Sequence, residues 1–88
     1  DVMAVGSLQA ASEMGLKLPD DLSVIGFDDI PMAAYYLPSL TTIAQPIYEV
    51  GEVAVKLMLK CLREPKKSFE TVRLNTRLVK RQSTAQPR

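Results

Sequence analysis

Residues 22–31, LSVIGFDDIP, run from a short apolar stretch straight into two aspartates and a proline. The first six are continuous and β-branched in the middle, which suits a strand covered on both faces in a parallel sheet. Asp28 and Asp29 then end it, and Pro31 fixes the backbone of the next turn. Three readings of the pair stand open: a catalytic acid pair, a contact to a ligand, or turn chemistry that stops the strand. Neighbouring residues at a strand end point in roughly opposite directions, so an acid–base dyad is the weakest of the three. Turn capping by one or both is common ahead of a proline-led helical turn. Position favours a ligand contact for Asp28, because ligands of open α/β sheets sit beyond the carboxyl ends of strands.

Upstream of this stretch, Ala4, Val5, Leu8, Ala11 and Met14 recur at helical spacing, and Gly15 stands where a left-handed cap would end a helix over 2–14. Asp1 has the chemistry of an N-cap. LKLPDD (16–21) comes next as a turn. Downstream, PMAAYY (31–36) reads as a short helical turn opened by Pro31 and closed by Pro38. LTTI (40–43) is a second short strand, and Gln45 and Pro46 announce a helix. There Val50, Val53, Ala54, Leu57, Met58, Cys61 and Leu62 form an apolar stripe. Glu52 and Lys56 are placed as a favourable i,i+4 pair, and Pro65 breaks the helix. FETVRLNTRLVKRQST (69–84) reads as two short strands that change course near 75–77, ahead of a polar tail. The order helix, strand, strand, helix, strand, strand is that of an α/β architecture. As a free-standing domain the set is incomplete, since a parallel sheet needs neighbours and no strand precedes the first helix.

Composition narrows the function. At 47% hydrophobic and 24% charged residues the chain is of the soluble globular kind. A net charge of +1 gives no field that draws it to nucleic acid or anionic lipid. With no histidine and one cysteine, Cys61, the usual general base and a thiolate metal cluster are excluded, and a reducing compartment fits. No apolar run is long enough to span a bilayer. Cys61 reads as a small hydrophobe of the stripe. Gly51 inside a helix implies close packing against a neighbour. The KRQ run at 80–82 is too short for a nucleic-acid patch and reads as a solvated strand edge.

Several separated stretches then agree in order and spacing with one family. GFDDIPMAAYYLPSLTTIAQPIYEVG (26–51), AVKLMLKCL (54–62) and LNTRLVKRQST (74–84), with DVMAVGSLQAASEMGLKLPDDLSVIGFDD (1–29), resemble the C-terminal part of lactose-repressor (LacI/GalR) transcription regulators. The resemblance covers nearly the whole chain. It implies a fragment of a two-lobed, periplasmic-binding-protein-like α/β fold, with parallel sheets flanked by helices and the effector held between the lobes. Residues 1–43 and 77–88 would belong to the C-terminal lobe and 44–76 to the N-terminal lobe, with the operator-reading helix-turn-helix outside this chain.

The same resemblance implies the site residues. Asp28 would accept hydrogen bonds from effector hydroxyl or ring N–H groups, leaving Asp29 to the turn. Gln45, Ile47 and Val50 would line the cleft, against the alternatives of satisfying backbone groups at the helix start for Gln45 and of core packing for the other two. Val5, Leu8 and Tyr36 would lie on a homodimer interface, where periodicity alone makes them core. The implied function is a cytoplasmic, non-enzymatic regulator that answers a sugar or nucleobase effector, with no cofactor, metal or membrane partner. A periplasmic-type solute-binding protein of the same fold is the alternative. A phosphoryl-transfer enzyme using the strand-end aspartates comes third, since DDIP supplies neither further carboxylates for Mg²⁺ nor a phosphate-binding lysine.

Overall fold

The computed structural model describes residues 1–65 and 70–87. The chain divides into two compact units, Asp1–Gln45 with Arg77–Arg88, and Pro46–Thr76.

The first unit holds helix α1 (Val2–Glu13), strand β1 (Ile25–Asp28), a 3-10 helix (Pro31–Ala34), strand β2 (Thr41–Ala44) and strand β3 (Arg77–Val79). α1 ends as Gly15 allows. With φ of +79°, its N–H reaches the Ser12 carbonyl and that of Leu16 reaches Ala11, both at 3.0 Å. On α1, Ala4, Leu8 and Ala11 recur at i, i+4 and i+7. Leu8 and Ala11 are buried, whereas Met14, expected on the same face, is exposed. Leu8, Ala33 and Leu40 form the core, with Ala4, Leu18, Val24, Ile30 and Tyr36 packed against it. Ile30 is extended, at φ −60° and ψ 151°, as a residue before proline should be.

The sheet has the order β1–β2–β3. β1 and β2 are parallel, in register from Ile25 with Thr41 to Asp28 with Ala44. β3 pairs antiparallel to β2, Thr42 opposite Val79 and Ala44 opposite Arg77, so the sheet is mixed rather than purely parallel. Two sequence expectations need correction. β1 covers only 25–28 and leaves Ile25 and Phe27 about half exposed, because the sheet face onto which both project is left partly uncovered by the described residues. Residues 70–76 form no strand, so of the two expected in 69–84 the described residues contain Arg77–Val79 alone, where β2 supplies a ladder partner; Phe69 lies outside the described residues.

Past β3 the chain runs alongside residues 23–24 and 39–41 at once. The Ser83 hydroxyl is fully buried, donating to the Val24 carbonyl at 2.6 Å and accepting the Thr41 N–H at 2.8 Å. Val24 N–H donates to the Ser83 carbonyl, Gln82 N–H to the Ser39 carbonyl, and Ala85 N–H to the Ser23 hydroxyl.

In the second unit, α2 spans Ile47–Arg63, with Glu49 in its first turn and Lys60 and Arg63 in its last, as the helix dipole favours. Glu52 and Lys56 pair at 3.0 Å. Of the apolar stripe, Val53, Leu57 and Cys61 are half-buried while Val50, Met58 and Leu62 are exposed.

Candidate functional site

Because β1 and β2 are parallel and in register, their carboxyl ends lie side by side, and Asp28 and Gln45 leave the sheet together. The Gln45 side-chain amide donates to Asp28 Oδ1 at 2.5 Å. Asp28 is exposed, and one oxygen already holds the amide, so the carboxylate keeps acceptor capacity for another donor. Gln45 retains a second N–H and its carbonyl oxygen. An acceptor beside a donor–acceptor suits adjacent hydroxyls or a ring edge of mixed polarity.

The backbone beneath this pair is strained. Asp28 and Asp29 both carry positive φ, +118° and +57°, a region that non-glycine residues enter at a cost of about 1–3 kcal/mol each. The side chains of Arg81, Asp1 and Thr42 hold it in place, with help from the first residue's nitrogen. Arg81 Nη2 donates to Asp29 Oδ1 at 2.8 Å, and Arg81 Nη1 donates to the Leu40 carbonyl at 2.9 Å. The Asp1 carboxylate accepts the Ile30 N–H at 2.7 Å through Oδ2 and the Thr42 hydroxyl at 2.5 Å through Oδ1. The Asp1 nitrogen donates to the Phe27 carbonyl at 2.8 Å. Gly26 makes room for this: a Cβ there would overlap the Asp1 carboxylate and meet Leu40 Cδ2 at 2.9 Å.

The sequence candidates are divided between the two units. Asp28 and Gln45 meet; Gln45 caps no helix, because α2 begins after Pro46 without a side-chain cap. Ile47 and Val50 lie on α2, 69% and 43% exposed, and Ile47 lines an open concavity of about 560 Å³ with Tyr48, Gly51 and Val55. Val5 is half-buried. Leu8 is 7% exposed and packs in the core with Ala33 and Leu40. Tyr36 is half-buried against the same core. Asp1 stands at the N-cap position but makes no side-chain cap; Ile30 and Thr42 take its carboxylate instead. Asp29 turns the backbone as expected, yet its side chain is an ion-pair partner rather than a cap. Arg81 corrects the reading of KRQ as a solvated edge, since its side chain is only 19% exposed.

Sequence reasoning missed Gly26, Thr42, Arg81 and Ser83. The hydroxyls in LTT and QST were a signal, because small hydroxyl residues beside apolar strands commonly serve backbone groups. The titration shift that stands out belongs to the second unit, where a hydrogen bond from Lys60 to Glu70 and the charge of Glu70 raise the Lys60 ammonium above its ordinary 10.5. Among the described residues no three Asp, Glu or Cys side chains converge as a metal-holding group.

The model of the periplasmic binding protein-like domain family matches residues 1–84. The chain is similar to a ribose operon repressor of Halalkalibacterium halodurans, 45% identical over 86 residues, which are 96% of this chain and 25% of that one. Among solved structures it is similar to a LacI family transcriptional regulator from Enterococcus faecium with bound ribose, at 46% identity and a TM-score of 0.83, over 97% of this chain and 32% of that one. It is similar also to a Lac repressor dimer bound to operator and the anti-inducer ONPF, at 37% identity and a TM-score of 0.83, over 96% of this chain and 29% of that one. The chain thus spans about a quarter of the length of the curated relatives it matches.

Proposed function

Since this chain belongs to the periplasmic binding protein-like domain family, we propose that it is part of the effector-binding domain of a ligand-responsive, LacI-type transcription regulator. Asp28 and Gln45 contact the effector. The observation that carries this reading is their pairing at the adjacent carboxyl ends of parallel β1 and β2, where α/β sheets bind ligands. The division into 1–45 with 77–88 and 46–76 supports assigning 1–43 and 77–88 to one lobe and 44–76 to the other, with Ile47 and Val50 as further effector contacts on α2.

The effector is a small polyhydroxylated or nucleobase-like molecule, and ribose is the first to test, since the relatives include both a ribose operon repressor and a regulator with bound ribose. The intact protein acts as a cytoplasmic homodimer on operator DNA, through a domain outside this chain, and performs no chemistry on the effector. Relatives described as repressors favour this over a transport-associated solute-binding protein. Thermal unfolding of the intact protein in the presence of ribose and a panel of sugars and nucleobases tests the reading. One of them raises Tm with concentration, as a ligand that binds the native state must. A panel that leaves Tm unmoved at millimolar concentrations overturns it.

A further inference from the structure

We infer that Arg81 is a positioning residue for effector binding: through Asp29 it holds the left-handed turn that presents the Asp28 carboxylate. This rests on reading Asp28 as an effector contact and deepens it.

Asp28 and Asp29, at φ +118° and +57°, occupy backbone that aspartate leaves unless surrounding contacts over-determine it. On the far side of the turn the Asp1 carboxylate holds Ile30 N–H. On the near side, among the described residues, side-chain contacts hold Asp29: the ion pair with Arg81 at 2.8 Å, and a long hydrogen bond of its N–H to the Thr42 hydroxyl at 3.4 Å. Arg81 is itself fixed, its guanidinium on the Leu40 carbonyl and its N–H on the Thr41 hydroxyl at 2.9 Å, with side-chain exposures of 19% for Arg81 and 21% for Asp29. A planar guanidinium donates to the Leu40 carbonyl from Nη1 and to Asp29 from Nη2, a fixed fork that the single nitrogen of an ammonium does not provide. Without it Asp29 is left as a half-buried, unpaired carboxylate, and the turn relaxes toward negative φ. That rotation swings the Asp28 side chain off Gln45.

Ribose titration of the intact protein by calorimetry, as a double-mutant cycle of Arg81→Met with Asp28→Asn, tests this. Arg81→Met weakens ribose binding about tenfold in the wild-type background and no more than about twofold beside Asp28→Asn, because the two act as one unit. An equal factor in both backgrounds, or no effect in either, overturns the positioning role. Unchanged affinity in Asp28→Asn alone overturns instead the reading of Asp28 as a contact. If Arg81→Met does not fold, Arg81→Lys, which keeps the charge and loses the fork, replaces it with the same expected pattern. A ligand-free arm reads the Gln45 side-chain amide by NMR. In Arg81→Met or Arg81→Lys its resonance moves toward its position in Asp28→Ala, where the partner is gone; a resonance that stays put also overturns the inference.

Discussion

Ser83 and Gly26 are the residues on which the strand ends depend most directly. The Ser83 hydroxyl serves a buried N–H from Thr41 and a carbonyl from Val24. Ser83→Ala leaves both without that partner, and the expected loss is about 1–3 kcal/mol in chemical denaturation of the intact protein. A loss under about 0.3 kcal/mol would mean water replaces the hydroxyl at no cost. At Gly26 the demand is steric rather than conformational, since a methyl group overlaps the Asp1 carboxylate. Gly26→Ala therefore destabilises by about 1–3 kcal/mol and displaces Asp1 from Ile30 and Thr42, which a crystal structure of the variant would reveal. The strand end and the turn made by Asp29 were legible in the sequence. Arg81 was hidden, because a basic residue near a strand end carries no local sign that a carboxylate 52 positions away will meet it. The partner is brought in by the sheet, and periodicity is blind to that.

Helices are the easiest elements to read from this sequence and short strands the hardest. α1 and α2 lie where apolar spacing, Gly15 and Pro46 put them, because helical signals are local. Residues 72–74 alternate as a strand should, yet strand formation needs a ladder partner that these residues lack. The caps and the surface charges of the helices are separable by substitution. Gly15→Ala forces a side chain into φ +79° and costs about 1 kcal/mol of unfolding free energy. Lys56→Ala removes an exposed ion pair with Glu52 and changes stability by less than about 1 kcal/mol, with the difference fading at high salt. Equal effects of the two variants would contradict the view that the cap, rather than surface charge, defines the helices.

Across the full chain, residues 77–88 join the first unit from beyond a 31-residue excursion, Pro46–Thr76, and that return completes the sheet and delivers Arg81. Exposed Ile25 and Phe27 on the edge strand match a chain that spans about a quarter of its relatives' length. Dimerisation is proposed to use Val5, Leu8 and Tyr36, of which Val5 and Tyr36 are half-buried in this chain. Val5→Asp in the intact protein then raises the dimer dissociation constant in sedimentation experiments, and an unaltered dimer at low concentration contradicts that assignment. Effector recognition is proposed to turn on Asp28, set beside Gln45 where β1 and β2 end. Its sharpest test is calorimetric titration of ribose into the intact wild-type protein and its Asp28→Ala variant. Binding to the wild type is expected, with a loss of affinity of about tenfold to hundredfold in the variant, the value of a hydrogen bond to a charged group. Equal affinities in two folded proteins would contradict it.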